Sequence, residues 1–233
     1  NGRVATLGSN VAALHRIPGA DWIILSLATG EPSQLRRMSD GALLEQLTGD
    51  VTDIYEVGRD APFFGVRYAD VPGELRRKRD GALLEHLTAN LGFIDTVSKD
   101  APFFLVNYVN APGEHVPGEL RRKSDGTLVE TLSWDIYRVD AISEDIPFFA
   151  VVYTSASWEL RRKSDGSLVE ELAGDVYNID TVSGNVPFFV LTYEDIFWQL
   201  RRMADGTLVD KLAGDDVDSL DTVSEDAPLF VIR

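Results

Sequence analysis

The chain has 233 residues, 44% of them apolar, and 22 basic against 38 acidic side chains give it a formal net charge of −16. Acidity on this scale disfavours nucleic acid and anionic membranes as partners, since both are bound through basic patches. The absence of cysteine excludes disulfides, thiolate metal sites and cysteine nucleophiles. No apolar run reaches the roughly 18 residues of a membrane-spanning helix. The opening NGRVATLGSN lacks the basic and apolar regions of a signal peptide, so none is expected, and the compartment stays open.

The tract LRR-x-x-DG-x-L occurs five times, starting at Leu35, Leu75, Leu120, Leu160 and Leu200, with APFF or a variant between copies. A period of this length marks a solenoid or propeller. Units this short bury no core alone, so residues 1–233 are expected to form a single domain. In chain order, the first unit (1–40) supplies VATL, VAALHRI, WIILSL and QLRRM as strands. Full units follow at 41–80, 81–125, 126–165 and 166–205, the third with five extra residues in a loop where PGE occurs twice. In the 166–205 unit the runs SLVEEL, VYNIDTV, FFVLTY and QLRRM are rich in β-branched and aromatic residues. Turn residues separate them, which is strand chemistry. The Asp-Gly pairs suit hairpin turns, and the prolines at 62, 102, 147, 187 and 228 sit where a strand begins. The last unit, 206–233, stops after PLFVIR.

No segment holds a 3.6-residue apolar stripe, so the expected class is all-β. Four strands per unit match a propeller blade, and six units predict a six-bladed β-propeller. Its closing blade is expected to pair the N-terminal VATL with the C-terminal PLFVIR. A five-bladed ring with a decorated first repeat is the alternative. A blade short of a strand leaves an open edge, through which self-association is expected if another chain fills the gap.

The tract GDVYNIDTVSGNVPFFVLTY followed by QLRRMADG, and LTGDVTDIYEV at 47–57, resemble the repeat of TolB-like and WD-repeat-like propellers and of the propeller domain in dipeptidyl peptidase IV-type enzymes. The resemblance spans nearly the whole chain through generic motifs. It implies a propeller and no activity, because those peptidases act through a separate hydrolase domain absent from this sequence. LRRKSDG is identical at Leu120 and Leu160, the mark of recent amplification or of design.

Several constellations are candidates for function. One register of the VYNIDTV strand, expected innermost, carries His15, Tyr55, Asp95, Asp140, Asp180 and Asp221. Facing an axis, its carboxylates would hold calcium through oxygen ligands or line a solvated channel. No other cofactor is expected. The Arg pairs (Arg36/Arg37, Arg76/Arg77, Arg121/Arg122, Arg161/Arg162, Arg201/Arg202) point to opposite sheet faces. One member of each is expected to meet Glu45, Glu85, Glu130, Glu170 or Asp210 of a neighbouring strand. The pairs Phe63/Phe64, Phe103/Phe104, Phe148/Phe149 and Phe188/Phe189 are expected to fill the space between blades. Trp158, Phe197 and Trp198, read as loop aromatics, and His115 in the inserted loop are candidate ligand-binding residues.

No catalytic residue is assigned: nucleophile elbow, His-Glu-x-x-His and phosphate loop are all absent from the sequence. His86 stands where other copies have Gln46, Thr131, Glu171 or Lys211, so the fold does not call for it. The expected function is a non-enzymatic binding or scaffold module with a protein or carbohydrate ligand. The alternatives are a multivalent lectin, a designed or amplified repeat protein without a specific ligand, and a propeller hydrolase centred on His15, Arg16 and Asp21 of the divergent first unit.

Overall fold

A computed structural model describes residues 10–28, 31–58, 61–97, 101–109, 116–133, 136–140, 146–155, 157–172, 174, 176–181, 187–193, 197–213, 220–222 and 230–232. Every element among them is a β-strand. The first sheet holds β1 (Val11–Arg16), β2 (Trp22–Leu27), β3 (Gln34–Arg37) and β4 (Leu43–Gln46). The second holds β5 (Val51–Glu56), β6 (Phe63–Tyr68), β7 (Glu74–Arg77) and β8 (Leu83–His86). The third holds β9 (Leu91–Thr96), β10 (Phe103–Tyr108), β11 (Glu119–Arg122) and β12 (Leu128–Thr131). The fourth holds β13 (Ile136–Asp140), β14 (Phe148–Tyr153), β15 (Trp158–Arg162) and β16 (Leu168–Leu172). The fifth holds β17 (Val176–Thr181), β18 (Phe188–Tyr193), β19 (Phe197–Arg202) and β20 (Leu208–Ala213). A hairpin of β21 (Leu220–Thr222) and β22 (Phe230–Ile232) follows.

The described residues thus form five four-stranded antiparallel sheets, each with its strands in chain order, and one two-stranded hairpin. This is a coarser result than six blades. It also moves the frame of the repeat. The Asp-Gly pair, placed at the boundary between units from sequence, lies inside a sheet, in the hairpin between the third and fourth strands. The first sheet accordingly opens with VAALHR as its first strand rather than its second. The reason is local: the loop closes on itself, Arg37 N–H bonding Ala42 C=O at 2.9 Å and Gly41 N–H bonding Arg37 C=O at 2.9 Å. Gly41, Gly81, Gly126, Gly166 and Gly206 take φ between 72° and 79° there, a conformation open to glycine at little cost. The expected pairing of VATL with PLFVIR lies outside the described residues.

Packing divides the chain into two units, Asn1–Thr96 with Phe104–Ser133, and Val97–Phe103 with Trp134–Arg233. The first carries the first three sheets. Trp22 stacks on Phe64 at 4.9 Å between ring centres, and Phe63 meets Phe104 at 5.2 Å, so aromatic residues of the second strands bridge consecutive sheets. The second unit does the same with Phe148 and Phe189 at 5.5 Å. The Phe pairs are therefore core, as their two-faced spacing led us to expect. Around them close Val66 and Tyr68 against Ile24 and Leu35 in one cluster, and Leu160 and Trp158 against Leu191 and Tyr193 in another.

Two bulges recur. In the first strand an extra residue follows the opening position, between Val51 and Asp53 or Ile136 and Arg138, for example. In the fourth strand another falls where the partner passes from Leu75 to Arg76, so that Leu75 faces Glu85 and Arg76 faces Leu83. Bulges bend a strand and re-aim its side chains; both sets below depend on them.

Candidate functional site

The first of each Arg pair forms the best-defined polar constellation. Arg76 grips Glu45 of the preceding sheet with both terminal nitrogens, Nη1 to Oε2 at 2.8 Å and Nη2 to Oε1 at 3.0 Å. Its Nε donates to Glu74 Oε2 at 2.7 Å, and Nη1 also donates to the carbonyl of Gly81 in the hairpin loop at 2.9 Å. Glu74 is fully buried; its carboxylate additionally accepts the hydroxyls of Tyr68 and Thr48. A buried charge needs this degree of satisfaction. Burial opposes the charge on Arg76, but the hydrogen bonds it donates to Glu45 and Glu74 outweigh it and raise its pKa. Burial first, and the Glu74 carboxylate second, push the Tyr68 hydroxyl well above its ordinary value.

The arrangement repeats. Arg121 holds Glu85 at 2.7 and 3.1 Å, Glu119 at 2.6 Å and the Gly126 carbonyl at 2.9 Å. Arg201 holds Glu170 at 2.7 Å, Gln199 through Nε at 3.0 Å and the Gly206 carbonyl at 2.9 Å. Arg161 holds Glu159 at 2.6 Å and the Gly166 carbonyl at 3.0 Å. Arg36 bonds Gln34 and the Gly41 carbonyl, each at 2.8 Å. At Arg76, Arg121 and Arg201 the clamp joins the third strand of one sheet to the fourth strand of the sheet before it, the pairing expected from alternation and charge.

The residues of the expected axial ring recur at one strand position. His15, Tyr55, Asp95, Asp140, Asp180 and Asp221 lie opposite Ile24, Gly65, Leu105, Ala150, Val190 and Val231, equivalent places in their hairpins. Tyr55 and Asp140 have separate local partners. Tyr55 donates its hydroxyl to the Gly92 carbonyl at 2.7 Å. Asp140 accepts Nε and Nη2 of Arg138 at 3.0 Å each. The side chains of Asp180 and Asp221 lie outside the described residues. Among the described residues no group of three or more His, Asp or Glu is arranged to hold a metal ion.

His15 is half-buried, with Nε2 3.4 Å from Ser26 Oγ. Burial lowers its pKa, against the opposing fields of Asp53 and Asp50. Ser26 donates to the Val51 carbonyl at 2.8 Å, which directs its hydrogen away from the imidazole. Ser33 accepts the Val51 amide at 2.9 Å and lies 3.2 Å from Asp50 Oδ1. These bonds fasten the first sheet to the start of β5. Arg16 is exposed, and Asp21 accepts the hydroxyl of Ser39 at 3.5 Å. His86, its side chain 58% exposed, places Nδ1 3.4 Å from Glu74 Oε1.

Among the aromatics read as loop residues, Trp158 is a correction. It is only 4% exposed, opens β15 and packs in the core, where Gly73 and Gly118 precede the shorter β7 and β11. Phe197 stacks on Tyr193 at 4.1 Å, and Trp198 packs half-buried against Val190 and Leu200. His115 lies outside the described residues. The exposed aromatic is instead Tyr137, 62% exposed and unpaired in the bulge of β13. Beside it the Arg138 guanidinium lies 5.9 Å from the Tyr137 ring and 5.5 Å from the Trp158 ring. The sequence signal for Tyr137 was the bulge, which is visible only once strands are paired.

The fourth strand supplies a second set. Leu43, Leu83, Leu128, Leu168 and Leu208 are all exposed, and each lies opposite the clamping arginine of its own sheet.

No family model matches the chain, and no curated protein matches it. Among solved structures, the computationally designed Ika8 protein superposes with a TM-score of 0.41 at 12% identity, over 92% of this chain and 65% of that one. The chain thus spans just under two thirds of the designed protein's length. KlHsv2 with loop 6CD replaced by a Gly-Ser linker superposes with a TM-score of 0.39 at 10% identity, over 93% and 74% of the two chains. Likeness at these values carries no inference about fold or activity.

Proposed function

We propose that the chain is a non-enzymatic repeat scaffold of propeller type that binds a protein ligand through equivalent positions on successive sheets. The observation that carries this reading is the exposed leucine at one register of all five fourth strands. Exposed apolar side chains scattered singly need no explanation; the same one at every repeat offers a ligand a series of like contacts. Weak contacts joined in this way gain strength through effective concentration. An immobilised chain is expected to retain extended, leucine-rich peptides. Replacing Leu83, Leu128 and Leu168 together by Ser should weaken retention by about tenfold or more, and unchanged retention would overturn the reading.

A lectin-like role is the second reading, favoured by exposed Tyr137 beside Arg138 and Asp140. An aromatic face next to polar groups suits a sugar ring. Binding on a glycan array that disappears in Tyr137→Ala would establish it in place of the first. Half-buried Phe197 and Trp198 are the further aromatic candidates. We take the scaffold to work without a cofactor: calcium should produce no heat in calorimetry, whereas heat lost in Asp95→Asn would place a cation at the ring. The six-bladed reading rests on Asp221 opposite Val231, a place equivalent to Asp180 opposite Val190, so that β21 and β22 read as the first strands of a sixth sheet.

A further inference from the structure

Each third-to-fourth hairpin carries an Asp-Gly pair, and such a pair has a chemistry of its own. The amide nitrogen of the glycine can attack the carboxyl carbon of the aspartate before it. A C–N bond forms, the C–OH bond of the protonated carboxyl breaks, and the amide proton leaves with the hydroxyl as water. The product is a five-membered succinimide. Water then opens either imide carbonyl, returning aspartate or giving isoaspartate, in which the side-chain methylene has become part of the main chain. Glycine favours the attack because no Cβ shields its nitrogen.

The repeat offers five such pairs, and the loops differ at the residue after the glycine. Asp125 Oδ1 accepts the Thr127 amide at 3.0 Å and the Thr127 hydroxyl at 2.7 Å. Asp165 Oδ1 accepts the amide and hydroxyl of Ser167 at 2.9 and 2.7 Å. Asp205 Oδ1 accepts those of Thr207 at 2.9 and 2.7 Å. In the first two loops that residue is alanine, which has no hydroxyl to give. Asp40 Oδ1 accepts the Ala42 amide at 3.0 Å, and Asp80 Oδ1 the Ala82 amide at 3.2 Å.

What else holds these two carboxylates is exposed charge. Asp40 meets Arg37 at 3.0 Å, and Asp80 meets Arg77 at 3.5 Å and Arg79 at 3.3 Å. The three arginine side chains are well exposed, and ion pairs in that setting hold a side chain weakly. Attack asks two things of the aspartate. Its carboxyl must leave the residue two places on to reach the glycine nitrogen next door, and it must take up a proton so that water can depart. Each hydrogen bond to Oδ1 opposes both. It fixes the side chain, and bonding to the residue two places on lowers the carboxyl pKa in all five loops. The glycine side of the reaction is alike throughout, each amide donating to the carbonyl four residues before it at 2.8 or 2.9 Å. The aspartate side therefore sets the difference between loops.

We propose that Asp40 and Asp80 are the sites at which the folded chain isomerises, and that the hydroxyls of Thr127, Ser167 and Thr207 protect the three later aspartates. At Asp80 the change reaches the clamp. The extra main-chain methylene enters next to Gly81, whose carbonyl accepts Arg76 Nη1 at 2.9 Å.

Prolonged incubation of the folded full chain, followed by peptide mapping with mass spectrometry, tests this. Isoaspartate should accumulate at positions 40 and 80 about two- to tenfold faster than at 125, 165 and 205, the ratio that one hydrogen bond supplies. Ala82→Thr should slow position 80 to the rate of the later loops, and Thr127→Ala should raise position 125 to the rate of the first two. In concentrated urea the five rates should converge. Equal rates in the folded chain overturn the proposal. So does a difference that persists in urea, which belongs to the local sequence rather than to the loop, and so do rates that ignore both substitutions. Circular dichroism checks that the variants fold, and the comparison among the five wild-type loops stands without them.

Discussion

Arg76 and Glu45 show how unequal the two halves of one ion pair are. Glu74 is fully buried and depends on Arg76 for its compensating charge, whereas Glu45 keeps 42% of its side chain in solvent. Arg76→Met should therefore cost about 3–5 kcal/mol, the penalty of a buried carboxylate left without its cation. Glu45→Gln should cost about 1 kcal/mol or less, since water replaces much of what is lost. Equal midpoint shifts in urea denaturation would contradict this division. The Arg76 hydrogen bond holds the Glu45 carboxyl below its ordinary range, with burial acting in the opposite direction. A carboxylate with a depressed folded pKa contributes above its unfolded value and loses that contribution as pH falls through the folded one. Acid should thus weaken the wild-type clamp while leaving this part of the profile flatter in Arg76→Met. Glycines of the hairpin loop separate in the same way. An alanine at either Gly81 or Gly126 meets the left-handed penalty of about 1–2 kcal/mol, but at Gly81 its Cβ also falls 2.6 Å from Leu35 Cδ2 in the core. At Gly126 the nearest atom is 3.6 Å away. Gly81→Ala should be the more destabilising of the two by thermal denaturation.

The third-to-fourth hairpin is the element through which the sequence was both most and least readable. Its Asp-Gly pair announced a turn, and the turn is there. Which sheet it belongs to was hidden, because a chain that repeats reads alike from any starting point; only the ladder from Arg76 to Leu83 shows that both flanking strands share one sheet. Trp158 was misread for a related reason. Its counterparts Gly73 and Gly118 precede a four-residue strand, and nothing in the letters shows that β15 begins one residue earlier. Arg76 with Glu45 was legible because alternation along a strand and opposite charge suffice to pair them, whereas the buried role of Glu74 was not, since an acid next to LRR reads as surface. The loop also titrates. In Asp125 the backbone amide of Thr127, and then its hydroxyl, lower the carboxyl pKa; in Asp165 the hydroxyl and amide of Ser167 do so. Depressed in the folded state, these groups support the loop above the unfolded carboxylate pKa of about 3.9 and cease to do so as pH falls through their folded values. Melting temperature followed from pH 6 to pH 3 should fall less in Asp125→Ala than in the wild-type chain; parallel curves would show that the loop aspartates do not contribute.

At the scale of the molecule, stability is divided between what each sheet holds within itself and what it shares with its neighbour, as in other repeat proteins. The shared part recurs at Arg76, Arg121 and Arg201. Each Arg–acid clamp described has the same donor in one sheet and the same kind of acceptor in the sheet before, and each aromatic bridge has the same sense. A consequence follows for how such a chain changes over generations. Unequal crossing-over between near-identical stretches of DNA adds or removes whole units, and most new junctions in a protein are ruinous because unlike surfaces are forced together. Here the fourth strands carry an acid at one register, Glu45, Glu85, Glu130, Glu170 and Asp210, so a third strand placed after any of them meets one. Duplication or loss of one unit leaves no stranded buried charge at the new seam, so the clamp that stabilises each copy also makes the number of copies free to vary.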